Sequence, residues 1–327
     1  MTNFYFENKL YQLEVLKKKT QNTICCIIDK LHNNNLETGY ILFERNTKFT
    51  ESEIQIISLI SDYYSLFEKK NIYDGLLKKS NKEFRDEISK IRKIQASLLP
   101  KFDLVRNFQI SSAFIPATDL SGDFFDGYFL SNTIYQLVLC DVSGHGIASS
   151  YVGNQIRTLF RMLSTENRPP SEITMMVNDS LNEDLKDLYI FSTAVVCQIN
   201  MDTGDILYLA AGHPPSMFYQ SKSNQSEYII NTGPLLGIEK GSKFTDNKIT
   251  MKEEDSLLIY TDGVTETHNP ENREIYSEKR LQKEFDNVAK LDAQDSIHSI
   301  LGSIFEYSQY SEMEDDVTII CIKKTRD

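Results

Sequence analysis

Three apolar, strand-like runs end or begin in aspartate. "LVLCD" closes on Asp141, "SLLIYTDG" carries Asp262 followed by Gly263, and "MEDDVTIICIK" places Asp315 and Asp316 just before its apolar stretch. A fourth carboxylate is placed by counting. "GDFFDGYFL" and "IYQLVLCD" are separated by Ser131, Asn132 and Thr133, turn formers of a length common in hairpins. With those three as the loop, Leu130 pairs with Ile134 and Asp123 faces Asp141. Side chains directly opposed in an antiparallel ladder have Cβ atoms ~4.5–5.5 Å apart, where like charges destabilise, so something positive should sit between them. Strand alternation sends Asp126 to the opposite face. Gathered at one rim, Asp123, Asp141, Asp262 and Asp315 would form an all-oxygen site for a hard divalent cation such as Mg²⁺ or Mn²⁺. Gly263 is read as giving the backbone freedom to turn after Asp262.

The elements that must position these carboxylates begin beyond Pro100. "FQISSAFIPA", "GDFFDGYFL", "IYQLVLCD", "YIFSTAVVCQIN", "DILYLAAG", "SLLIYTDG" and "VTIICIK" are short, rich in β-branched and aromatic residues, and bounded by turn signals. Helical stretches are expected over about 147–164 and 171–187, and again over about 277–290 and 294–308. This order predicts an α+β fold, two stacked antiparallel sheets flanked by helices, over residues 101–327. Upstream, "TICCIID" and "GYILFER" read as strands of a small α/β module over 1–58. Thr50 and Glu53 form a capping box that starts a helix. Over 59–99, Leu59, Tyr63, Leu66, Tyr73, Leu77, Phe84, Ile91, Ile94 and Leu98 recur at roughly heptad spacing, interrupted by Lys70, Ser80 and Glu87. This connector predicts a coiled coil and a homodimer, and Pro100 ends it.

Composition narrows the function classes. The 327 residues carry 35 Lys and Arg against 47 Asp and Glu, a formal charge of −12, which disfavours nucleic acid and anionic membrane surfaces as partners. No apolar run approaches the ~18–20 residues needed to cross a bilayer, and the polar start "MTNFYFENKL" is unlike a signal peptide. A cytoplasmic protein without membrane insertion is expected. Of five cysteines, Cys140, Cys197 and Cys321 sit in apolar strand-like runs and read as reduced core residues, and none of the five forms C-x-x-C.

"DLSGDFFD", "LCDVSGHGIASS", "AGHPPSMFY", "GPLLGI", "YTDGVTE" and "DDVTII", in this order, resemble the PPM family of metal-dependent protein serine/threonine phosphatases. The likeness is to its bacterial branch, typified by the sporulation stage II protein E and the phosphatases that control stress sigma factors. "KIQASLLP", residues 93–100, resembles the segment joining the connector helix to that domain. "GYILFERNTKFTESEIQIISLI" resembles the last strands and final helix of a GAF sensor domain, here shortened. The resemblance implies two Mn²⁺ or Mg²⁺ ions. Asp141 would bridge both, the Val142 carbonyl and Asp123 would serve the second, and Asp262 and Asp315 would hold the first, with Asp316 as alternative to Asp315. It also implies a metal-activated water that attacks a phosphoserine or phosphothreonine protein.

His145 is a candidate general acid, although it lies four residues beyond Asp141 where the animal-type branch has its histidine two beyond. His213 is read as pinning a turn between strands near the site, Thr261 and Thr318 as orienting the ligands, and Arg157 and Arg161 as helix-surface residues. The substrate implied is a phosphorylated anti-sigma-factor antagonist of the STAS type or a similar partner-switching protein. Two competing readings are a non-catalytic partner-binding scaffold of the same fold and a metal phosphoesterase for small phosphate esters.

Overall fold

Three antiparallel strands precede the long helix: β1 (Tyr5–Glu7), β2 (Cys25–Asn33) and β3 (Leu36–Arg45), ordered β1-β3-β2. The structure, a computed structural model, describes residues 5–7, 25–33, 36–45, 50–102, 105–185, 187–230 and 233–325. The stretch before Thr23, which bears on a GAF-like ligand pocket, lies outside the described residues apart from β1. Helix α1 (Glu51–Leu98) opens on the expected capping box. Glu53 accepts from the Thr50 N–H and hydroxyl, both at 2.7 Å, and its own N–H returns to the Thr50 hydroxyl at 3.4 Å. It runs unbroken past Gly75 and stops two residues before Pro100.

The chain's two compact units, Met1–Glu87 and Ile88–Asp327, divide within α1. In the first unit Leu59, Tyr63, Leu66, Tyr73, Leu77 and Phe84 are exposed along the helix. In the second Ile88 is buried, and Ile91 and Leu98 are half-buried.

The second unit continues with β4 (Phe108–Ile115), β5 (Phe124–Phe129), β6 (Ile134–Val142), α2 (Ile147–Leu163), α3 (Pro170–Leu185), β7 (Ser192–Asn200) and β8 (Asp205–Ala211). Then come β9 (Ser216–Gln220), β10 (Gln225–Ile229), β11 (Asn247–Thr250), β12 (Ser256–Tyr260), α4 (Asp262–Glu266), α5 (Glu278–Val288), α6 (Ala293–Tyr307) and β13 (Val317–Lys324). Two five-stranded sheets form, β10-β9-β12-β13-β4 and β11-β8-β7-β6-β5, every neighbouring pair antiparallel. This is the predicted two-sheet α+β architecture. The strands β9, β10 and β11 and the short α4 lie outside the sequence expectation.

Alternation along each strand divides the apolar side chains among three layers. Phe125, Leu137, Leu139, Val195, Leu257, Ile259, Ile320 and Ile322 fill the space between the sheets. Phe124, Val138, Cys140 and Val196 face α2 and α3 instead, and Leu258, Tyr260, Ile319 and Cys321 face α5 and α6. Cys140, Cys197 and Cys321 are free and buried, as expected. Each fully buried Leu, Ile or Phe contributes ~1.5–3 kcal/mol relative to exposure, so the strand positions are strongly fixed.

The counted hairpin forms. Leu130 N–H donates to the Ile134 carbonyl at 2.9 Å, Phe124 faces Cys140, and Phe129 faces Tyr135. Asp126 points to the helix side, as alternation requires; Arg157 is half-buried beside it, which corrects its reading as a helix-surface residue, whereas Arg161 stays exposed as expected. Arg161 grips Asp126 with Nε at 2.5 Å and Nη2 at 2.8 Å, while Arg157 Nε stands 3.0 Å from the same carboxylate. Asp126 is 2% exposed and so bolts α2 to β5. Asp126→Ala removes the carboxylate that both arginines share, and because Arg161 stays in water it should lower unfolding free energy by about 1–2 kcal/mol in urea titrations.

Candidate metal centre

Asp123 and Asp141 have the same strand parity as the residues between the sheets, and lie just where that apolar layer stops. Continuing the register past Phe124 and Cys140 sets Asp123 opposite Asp141. Across the rim, Asp123 Oδ2 accepts the hydroxyls of Thr261 at 2.9 Å and Thr318 at 2.5 Å. Thr318 N–H in turn donates to the Thr261 hydroxyl oxygen at 3.0 Å. Both hydroxyls thus reach Asp123 from the opposite sheet. Both threonines play the orienting part expected of them.

Asp262 opens α4 at the end of β12, and Asp315 lies two residues before β13. Their arrangement is electrostatic as well as topological. Burial raises the Asp123 carboxyl well above the usual range, and Asp141 and Asp316 add to this against the two hydroxyls. Asp141 is pushed up to about 7, first by burial, then by Asp262, Asp315 and Asp316. Asp262 is raised by burial and by Asp315 and Glu266. The largest charged influences on all three are other acids. The sequence-predicted aspartates thus act on one another from the strand ends of both sheets.

Asp315 and Asp316 divide their work. Asp316 is 5% exposed, and its two oxygens accept backbone N–H groups, from Ala117 and Gly122, both at 2.8 Å. It holds the loop leading to Asp123. Asp315 is exposed, and its Oδ1 accepts the Asp316 N–H at 2.8 Å.

Two glycines allow these close approaches. A Cβ on Gly122 would lie 2.8 Å from the Val142 carbonyl oxygen and 3.0 Å from that of Gly144. A Cβ on Gly263 would lie 2.1 Å from the Asp316 carbonyl oxygen. Gly263 is therefore needed for contact rather than for a turn, since it lies inside α4 without a positive φ.

His145 is exposed in the turn between β6 and α2, flanked by Gly144 at φ 84° and Gly146 at φ 91°, conformations that favour glycine. His213 is 7% exposed and hydrogen-bonded at both ring nitrogens, to Thr193 and to the Tyr260 carbonyl. Three residues lacked a sequence-based role. Gln95, at the end of α1, pairs its side-chain amide with the backbone of Ser121, donating to the carbonyl at 2.9 Å and accepting the N–H at 3.4 Å. Ser192 Oγ donates to the Asp141 carbonyl at 2.8 Å. Gly122 was visible only inside "DLSGD".

The donor set fits a divalent metal in chemistry and charge: hard oxygens, mutually repelling, with no ammonium or guanidinium among their main influences. Among the described residues, no group of three or more His, Cys, Asp and Glu side chains is already disposed to hold a metal ion. In this arrangement the two threonine hydroxyls occupy one oxygen of Asp123.

In metal-free protein the folded state holds protons on Asp123, Asp141 and Asp262 that the unfolded chain releases near the usual carboxylate pKa of ~3.9. Stability should therefore fall as pH rises from about 4 through the value of about 7 at Asp141. Urea titrations with chelator across this window should show that fall, and Asp141→Asn should flatten it. Gly263→Ala should cost about 1–3 kcal/mol in the same measurement, because its new methyl meets backbone.

The chain matches the family model described as Stage II sporulation protein E (SpoIIE) over residues 131–325. It is 29% identical to Phosphoserine phosphatase RsbP of Bacillus subtilis, over 54% of this chain and 45% of that protein. It is 24% identical to Phosphoserine phosphatase RsbU of the same organism, over 82% of this chain and 78% of that protein. The chain spans less than half the length of RsbP and of another relative, Protein IcfG of Synechocystis sp., 26% identical over 73% of this chain and 41% of that protein. Among solved structures, the SiaA-PP2C domain of Pseudomonas aeruginosa superposes with a TM-score of 0.66 at 16% identity, over 75% of this chain and 98% of that one. The two-sheet unit therefore has the PP2C-type phosphatase fold, and the chain belongs to the SpoIIE family.

Proposed function

We propose that the chain is a metal-dependent protein serine/threonine phosphatase, with Asp123, Asp141, the Val142 carbonyl, Asp262 and Asp315 holding two Mn²⁺ or Mg²⁺ ions. The observation that carries this is the linkage of these carboxylates at the strand ends: Asp141 raises Asp123, Asp262 and Asp315 raise Asp141, and Asp315 raises Asp262. Asp315 is favoured over Asp316 because both Asp316 oxygens already accept backbone N–H groups. When bound, such ions supply charge stabilisation for a phosphoryl group and acidify water for in-line attack. The chain's own residues fix the carboxylates: Thr261 and Thr318 orient Asp123, and the apolar strand β6 holds Asp141 against the solvent. His145, in the exposed turn after Asp141, is the imidazole placed to protonate a leaving alkoxide.

The substrate class is carried over from the relatives named phosphoserine phosphatases, and the finer reading is a phosphorylated STAS-type anti-sigma-factor antagonist in a partner-switching pathway. In this reading residues 1–58 form the shortened sensor-like module and 59–99 the connector, with 101–327 as the phosphatase domain. The apolar side chains exposed along α1 support a homodimer through the connector. No helix among the described residues is long and apolar enough to cross a membrane, in keeping with action in the cytoplasm.

Purified protein with Mn²⁺ should release phosphate from a phosphoserine protein of the antagonist class, and chelator should stop it. Asp141→Asn should lower kcat/KM by about 10²–10³-fold or more. Faster turnover of nucleotides or aryl phosphates than of phosphoprotein at matched metal would move the assignment to small esters. Tight phosphoprotein binding without turnover would mark a scaffold.

A further inference from the structure

Among the ties between the two sheets at the rim, two run through threonine hydroxyls. One tie runs through a carboxylate, Asp123 Oδ2 with the hydroxyls of Thr261 and Thr318. The other does not. Thr193 stands directly opposite Asp141 in the β6–β7 ladder. Its hydroxyl lies 2.7 Å from His213 Nδ1, and His213 Nε2 lies 2.9 Å from the carbonyl oxygen of Tyr260, the last residue of β12 and two before Asp262.

The proton positions follow from the partners. A carbonyl only accepts, so Nε2 carries the hydrogen. Burial lowers the His213 pKa to about 4, which keeps the ring neutral, so Nδ1 accepts the Thr193 hydroxyl. The imidazole is a strut of fixed polarity between the strand beside Asp141 and the strand that delivers Asp262. Its backbone is equally constrained. Gly212 has φ 62° and donates its N–H to the Gly233 carbonyl at 2.9 Å. Pro214 then restricts residue 213 to extended conformations, and Pro214 and Pro215 have fixed φ.

We infer that His213 is a positioning residue that sets the separation of Asp141 and Asp262, and hence the metal affinity of the rim. The inference rests on the reading of these aspartates as metal ligands and goes beyond it. A cation held by Asp123 would compete with the first tie for the same carboxylate. The Thr193–His213–Tyr260 tie contains no carboxylate and persists when metal binds. It therefore reinforces, at the rim itself, the apolar layer that holds the two sheets together against the repulsion of their aspartates.

The test measures Mn²⁺ binding by isothermal titration calorimetry on the full chain, with folding checked by circular dichroism. His213→Leu should weaken Mn²⁺ binding at least tenfold and raise the Mn²⁺ needed for half-maximal activity, with kcat at saturating Mn²⁺ reduced much less. His213→Gln, whose amide offers a donor and an acceptor at a similar separation, should restore affinity to within about threefold of wild type. Where His213→Leu does not fold, Thr193→Val cuts the strut from the other side and should weaken Mn²⁺ binding in the same way. A folded His213→Leu or Thr193→Val protein with wild-type Mn²⁺ affinity would overturn the strut. Wild-type protein that binds no Mn²⁺ would overturn the reading of the aspartates themselves, and the strut's role with it.

Discussion

Mutual repulsion among carboxylates held at the edge of a rigid core is the constraint on which this architecture turns. A buried negative charge is costly, and several in one cleft more so. The rim contains that cost with two threonine hydroxyls on Asp123 and backbone N–H groups on Asp316. These devices reduce the repulsion without removing it, as the raised titration of Asp141 and Asp262 records. The remainder is stored readiness for a cation. The apolar layer between the sheets prevents the aspartates from relieving their repulsion by moving apart.

Much of this was legible because it depends on counting. A three-residue loop sets the parity of β5 against β6, and parity alone puts Asp123 opposite Asp141 and sends Asp126 to the other face. The capping box at Thr50, the stop before Pro100, the seven anticipated strands of the sandwich and its four longer helices are local signals and survived folding. The strands β9, β10 and β11 were hidden for a physical reason. "SMFYQ", "QSEYI" and "NKIT" lack a clean alternation of apolar and polar residues, and β10 and β11 are sheet edges whose identity comes from their neighbours.

The site residues that stayed hidden are those whose partners are remote in sequence. Arg157 and Arg161 look like solvated helix positions until β5 brings Asp126 beneath them. The doublet at 315 and 316 offered two equivalent carboxylates, and only a loop from nearly two hundred residues upstream distinguishes them. Gly263 was assigned to the right place for the wrong cause, because a close backbone approach leaves no mark in a single sequence. Gln95 is similar: an amide in a helix tail whose two bonds to Ser121 join the last turn of α1 to the loop that carries Asp123.

The short turn at Ser131, Asn132 and Thr133 acts as a ruler, and this separates two kinds of genetic change. Replacing its residues alters turn chemistry while keeping the count, so the chain can absorb such changes. Adding or deleting one residue inverts β5. Asp123 would then leave the rim for the helix layer, Asp126 would lose both arginines, and Phe124 and Phe125 would exchange layers. For this hairpin length is inherited more strictly than composition, and a reading-frame-preserving codon insertion there is more damaging than many substitutions in the core.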